Sequence, residues 1–224
     1  MIEKKLLIND FEDCWALWCG INKESADLAR AAEVVSENNL PMISVVPSAV
    51  PVIWPWLEIF NTKIMARFYL SEARITECAI SDVVKKINLT FKQGANGAQV
   101  FLSYADIGAF VDYMHAIRDD LFFDKSLSIG LDLNEVGAFD WGDLFANLKK
   151  INANSLLLVF AKDMGNKSDF VGRIYAMLNA WGADNNFELH FVVGPDLMRI
   201  EQVLRLTEMM RPQLIKRIRF FVNF

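Results

Sequence analysis

Six side chains capable of acid–base or charge chemistry recur in one phase of alternating segments: Arg67, Gln99, Asp132, Glu188, His190 and Arg219. In 127–133 the residues Leu127, Ile129, Leu131 and Leu133 alternate with Ser128, Gly130 and Asp132, and in 187–193 Phe187, Leu189, Phe191 and Val193 alternate with Glu188, His190 and Val192. Successive side chains of a strand point to opposite faces, so one face of each segment is apolar and the other carries the reactive groups. A second set, Tyr69, Ser103, Asp132, Asn134, Lys162 and Asn223, falls at the C-terminal ends of such segments. In that arrangement Asp132, expected within reach of Arg67 or His190 because all three share the polar phase, is the candidate general base, Lys162 or Arg67 the electrostatic stabiliser, and Tyr69 and His190 the groups that position a substrate. A small-molecule lyase or isomerase has these needs. Lys162 is also the lysine placed where a desolvated amine acts as a nucleophile. The same residues admit a structural reading, since buried charges demand partners and these groups can neutralise one another inside the fold.

The elements that must position these residues repeat as strand, helix and turn. Apolar or alternating runs at 14–21, 42–47, 63–70, 98–103, 127–133, 156–161, 187–193 and 215–224 read as strands. Between them lie helical stripes such as Leu28, Ala31, Ala32 and Val35, or Ile80, Val84, Ile87 and Phe91. A longer stripe runs from Ile107 through Phe110, Val111, Met114 and Ile117 to Leu121. Helix exits recur at Asn38-Asn39, at Gly94, at Asn152-Ala153-Asn154 and at Gly182, each just before a strand. Pro47, Pro51 and Pro55 predict a short, irregular second helix. Eight strands and seven helices at a spacing of roughly thirty residues give an α/β fold, a single (β/α)8 TIM-type barrel over 1–224, with eight parallel strands and the final helix missing. In such a barrel the apolar phase packs under the helices and the polar phase converges on the axis.

Three stretches carry a family likeness. Val46-Pro47-Ser48-Ala49-Val50-Pro51-Val52, then Lys63 to Leu70, then Gly94-Ala95-Asn96-Gly97-Ala98-Gln99-Val100, together resemble the second to fourth β/α units of deoxyribose-phosphate aldolase-like class I aldolases. The resemblance implies a Schiff-base lysine on strand six, a second lysine on strand seven and an acid on strand four. Here Leu157 or Val159, His190 and Gln99 occupy those places, so the catalytic lysines are not matched.

Composition sets the remaining bounds. A net charge of −5 and a pI near 5.1 provide no electrostatic footprint for nucleic acid. Apolar runs stop short of the ~18 residues of a membrane span, and the N-terminus lacks the pattern of a signal peptide, which together predict a cytoplasmic protein with no membrane partner. Cys14, Cys19 and Cys78 form neither a redox pair nor a zinc framework. No cofactor is expected, because Cys19-Gly20-Ile21-Asn22-Lys23 has one glycine where a dinucleotide turn needs three, and no Walker A pattern exists. Partners reduce to a small-molecule ligand and a second copy of the chain. The outward phase of strand eight, Ile218, Phe220, Val222 and Phe224, is as apolar as strands that have helical cover. That predicts a homodimer burying Phe220 and Phe224, helped by the segment Met1 to Phe11. The competing function is a catalytically silent barrel acting as a binding or assembly module, with Trp18, Trp54 and Trp56 as contact residues.

Overall fold

In the computed structural model, residues 14–20, 24–70, 75–160, 167–182, 184–193 and 196–224 are described. The strands are β1 (Trp15–Trp18), β2 (Met42–Val45), β3 (Lys63–Tyr69), β4 (Gly97–Phe101), β5 (Ser126–Asp132), β6 (Ser155–Val159), β7 (Glu188–Val192) and β8 (Ile218–Asn223). They alternate with α1 (Ser25–Glu37), α2 (Val50–Leu57), α3 (Glu77–Lys92), α4 (Ile107–His115), α5 (Arg118–Leu121), α6 (Trp141–Lys150), α7 (Lys167–Ala180) and α8 (Leu197–Met210). Every strand pairs in parallel with its neighbours in chain order, and β8 pairs back onto β1. The closed (β/α)8 barrel expected from the alternation is present, and no helix follows β8 before the sequence ends at Phe224.

The turns that set the strand starts follow from small local rules. Asn39 and Asn152 leave their helices at φ 48° and 47°, and Gly94 at φ 111°, a left-handed region where glycine and asparagine are least costly. At Gly94 there is also no room for a side chain, because the Trp54 ring lies 2.3 Å from where a Cβ would stand. Asn96 and Asn154 then each accept a hydrogen bond at 2.8 Å on Oδ1, from the Ile64 and Leu127 N–H groups. These bonds fix the register in which β3 meets β4 and β5 meets β6.

The outward phase of the strands, including Leu17, Ile43, Val100, Ile129, Leu158 and Phe191, packs against the inner helix faces as one continuous core. Burial of this apolar surface, at ~25 cal/mol per Å², is the main stabilising term. Several elements differ from the sequence reading. A 3-10 turn at Pro47–Ala49 precedes α2, which keeps Pro55 inside it. The stripe expected to run to Leu121 breaks after His115 into α4 and the short α5. On α3 the fully buried face is Ile80, Val83, Ile87 and Thr90, while Val84 and Phe91 are half-buried. β8 starts at Ile218, since 212–217 form a 3-10 turn begun by Pro212.

The outer face of β8 is largely covered within one chain. Ile218 and Phe220 are buried, and Phe220 packs on Trp15 and Phe191 at ring distances of 6.0 and 5.7 Å. Phe220 therefore needs no second subunit; Val222 and Phe224 are half-buried. The segment Met1 to Phe11, expected to help cover this face, lies outside the described residues. Among the described residues no helix is long and apolar enough to cross a membrane.

Candidate functional site in the barrel interior

Parallel strands staggered around a barrel bring side chains from alternate strands into common layers. From the N-terminal end upward, the pairings place Lys63, Ser126 and Glu188 together, then Met42, Gly97, Ser155 and Arg219, then Ala16, Met65, Ser128 and His190. Above them come Ser44, Gln99, Leu157 and Phe221, then Trp18, Arg67, Gly130 and Val192. Phe101, Val159 and Asn223 follow, with Tyr69 and Asp132 at the C-terminal mouth. All six residues of the polar phase thus face the interior.

The lower layers form an ionic cluster in which the charges are paired, while the buried His190 Nδ1 has no hydrogen-bond partner among the described residues. Arg219 donates to Glu188 through Nε at 2.9 Å and through Nη2 at 3.3 Å, and His190 shares Glu188 Oε2 through Nε2 at 2.9 Å. With a carboxylate as its partner, Nε2 is the nitrogen that carries the proton. Burial pushes the Glu188 carboxyl up, but the hydrogen bonds and charges of His190 and Arg219 outweigh it and bring it down to about 2. Burial also lowers His190 below its ordinary value, against the opposing pull of Glu188, so the ring is neutral. Beside the cluster, the Ser128 and Ser155 hydroxyls meet at 2.5 Å.

The upper layers are aromatic, with one cation among them. Trp18 packs edge-on against Phe101 at 5.8 Å and Phe221 at 5.9 Å, and Tyr69 stacks on Phe101 at 5.0 Å. Gly130 makes room for this packing: a Cβ there would stand 2.3 Å from the Phe101 ring. The Arg67 guanidinium lies 4.0 Å from the Trp18 ring centroid and donates through Nη2 to the Cys19 carbonyl. Burial lowers its pKa, with Tyr69 and Cys19 acting in the opposite direction. Its Nε and Nη1 have no acceptor although the residue is only 1% exposed. Gln99, fully buried, accepts from Ser44 Oγ at 2.6 Å on Oε1 and leaves Nε2 without a partner.

The sequence-predicted site residues are therefore divided. Tyr69, 48% exposed, and Asp132 share the mouth, while Arg67 lies two layers lower and His190 two layers below Arg67. The expected contact of Asp132 with Arg67 or His190 is absent: the Asp132 carboxylate accepts instead from the Asn134 N–H at 2.8 Å, capping the turn after β5. Its separation from the level of His190 is four residues of strand, ~13 Å along the chain. Ser103 is likewise engaged locally, donating to Asp106 at 2.6 Å. Arg217 stands before β8 and donates to the Asn185 carbonyl at 2.6 Å rather than into the barrel. Lys162 and the turn at Gly194-Pro195 lie outside the described residues. Ser44 and the barrel role of Trp18 were missed; extending the alternation to the short strands β1 and β2 would have found both.

Where the aldolase resemblance implies lysines and an acid, β6 turns Ser155, Leu157 and Val159 inward, β7 turns Glu188, His190 and Val192 inward, and β4 presents Gln99. A cavity of about 160 Å³ lies off the axis, outside the barrel wall, lined by residues that include Cys19, Ser25, Leu28, Ser48 and Val52. Among the described residues no group of three or more His, Cys, Asp or Glu side chains is arranged to hold a metal ion.

Comparison with known proteins places the fold with the aldolases. A protein of Toxoplasma gondii ME49 provisionally assigned as a deoxyribose-phosphate aldolase superposes with a TM-score of 0.69 at 13% identity, over 96% of this chain and 89% of its own. The apo form of such a protein from the same organism gives 0.70 at 12% identity, covering 100% and 93% of the two chains. The tetrameric deoxyribose-phosphate aldolase of Aeropyrum pernix gives 0.68 at 9% identity, covering 96% and 86%. At these identities the likeness is one of fold. No protein-family model and no curated protein matches the sequence.

Proposed function

We propose that the chain is a catalytically silent barrel of the aldolase fold that acts as a binding module. The observation that carries this reading is the inward face of β6 and β7, where Leu157 or Val159 and His190 stand at the places the resemblance assigns to amines. A Schiff base needs a primary amine at the reacting carbon; the aliphatic side chains supply neither nucleophile nor proton carrier, and the His190 imidazole is not a primary amine. The test is borohydride reduction in the presence of short aldehydes and ketoses, followed by peptide mass mapping. No stoichiometric adduct is expected at any single site. An adduct mapped to Lys162 would overturn the reading.

A small-molecule lyase or isomerase is the second reading, favoured by the half-exposed Tyr69 and by Asp132 sharing the mouth with it. In that reading Asp132 removes a proton and Arg67 or Lys162 steadies the developing charge. Solvent deuterium entering a carbonyl substrate, and ceasing to enter with Asp132→Asn, would support it over the silent barrel. A homodimer is also proposed, with Val222 and Phe224 as contact residues. Light scattering behind size exclusion at micromolar concentration reads it directly, and a clean monomer would remove it.

A further inference from the structure

Among the described residues Arg67 is a cation among aromatic and apolar side chains without a carboxylate partner. The described carboxylates of the interior are otherwise committed: Glu188 to Arg219 and His190, and Asp132 to its own turn. Transferring a guanidinium from water into such surroundings is costly unless charge or acceptors are supplied. One carbonyl, that of Cys19, and one ring face, that of Trp18, are what the described residues supply. The neighbouring Gln99 adds to the imbalance. Gln99 is the register partner of Arg67 on the adjacent strand, and the Ser44 hydroxyl holds its carbonyl end, which leaves the Nε2 donors open. The unaccepted groups at this level, Arg67 Nε and Nη1 and Gln99 Nε2, are all donors, and each is buried. Water would use them only in part, since a water that accepts here must also donate, and the wall around it is Trp18, Met65, Phe101 and Phe221.

We infer that the upper interior of the barrel is a binding site for a small carboxylate, whose oxygens accept from Arg67 and Gln99 and whose carbon end faces the aromatic wall. A carboxylate supplies acceptor oxygens and the missing negative charge together. The wall restricts the ligand to a short chain, because Trp18 packs against Phe101 and Phe221 at ring distances of 5.8 and 5.9 Å. Trp18 is half-buried and stacked over the guanidinium, so it is the side chain that must shift to admit the ligand. This inference rests on the binding reading above, and the two fail separately: an aldehyde adduct at Lys162 would end catalytic silence without touching the anion site, and loss of the anion response would do the reverse.

The experiment is a thermal titration with formate, acetate and propionate, each exchanged against chloride at constant ionic strength. The expected result is a rise in Tm that continues with concentration, reaching about 5 °C or more near ~100 times Kd. Gln99→Glu places a carboxylate beside Arg67 and should make the protein more stable in the absence of added anion while abolishing the response. Arg67→Met should also abolish it. Line broadening of carbon-13-labelled acetate, lost in Gln99→Glu, provides a readout independent of unfolding. No rise with any carboxylate, a rise equal to that with chloride, or a response that survives Gln99→Glu would each overturn the proposal.

Discussion

The two halves of the barrel interior use charge in opposite ways. In the lower half Arg219 and His190 both bond to Glu188, and the serine hydroxyls beside them are paired. In the upper half Arg67 has the Cys19 carbonyl and the Trp18 ring, and three of the nitrogens at its level face no acceptor. In the lower half each charge thus has an opposite charge beside it, although the buried Nδ1 of the neutral His190 meets no partner among the described residues. The upper half is packed as a hydrophobic core but holds a cation that this packing does not require. A chain selected for stability alone would place an apolar residue at position 67, and the proposed anion site above a structural scaffold accounts for the difference.

The largest effects are expected from breaking either kind of packing outright. Phe221→Ala removes a fully buried ring from the junction of the two halves and should cost about 3–5 kcal/mol in urea unfolding. Glu188→Gln leaves Arg219 and His190 without their carboxylate and should cost about 2–3 kcal/mol, or roughly 5–10 °C in Tm. A loss under about 1 kcal/mol for Glu188→Gln would mean that the lower cluster is a solvated surface pair and would erase the contrast.

Acid should act on the lower half first. His190 is held neutral with its pKa lowered by burial, so the unfolded chain binds a proton that the folded chain refuses, and stability declines as pH falls below about 6.5. Glu188, lowered to about 2, adds stability that is complete above its unfolded value and lost as pH falls from about 4.5 towards 2. Its partial exposure reduces that second loss to about 2 kcal/mol. Urea midpoints measured from pH 7 to pH 3 check both steps. In Glu188→Gln the lower-pH step should vanish.

The sequence made the alternation visible because a strand's period of two is local, and Arg67, Gln99, Glu188, His190 and Arg219 all face inward as their parity requires. Height along the axis is a different matter. It depends on the stagger accumulated through the strand pairings, which no single segment encodes, so Asp132 was placed beside Arg67 and His190 when it lies above both. The Cys19 carbonyl that meets Arg67 is a backbone group and carries no residue signature. The aldolase likeness was legible in the second to fourth β/α units because the Gly94-Ala95-Asn96-Gly97 turn encodes a left-handed exit and a strand start, both of which the fold uses.

The smallest effect concerns the residue first chosen as a general base. Asp132→Ala should remove a turn cap and cost about 1 kcal/mol in urea unfolding. A loss of about 3 kcal/mol or more would mean that Asp132 is paired with a buried cation, as the sequence reading had it.

The most direct test of the contrast compares the same substitution in each half: Arg219→Met and Arg67→Met, unfolded in urea at pH 7 in a buffer free of carboxylates. The account predicts a loss of about 2–3 kcal/mol for Arg219→Met, which strands a carboxylate, and a change within about 1 kcal/mol of zero for Arg67→Met, which removes an uncompensated charge. Equal losses at the two positions would contradict it, since they would show that the upper cation is as fully paired as the lower one.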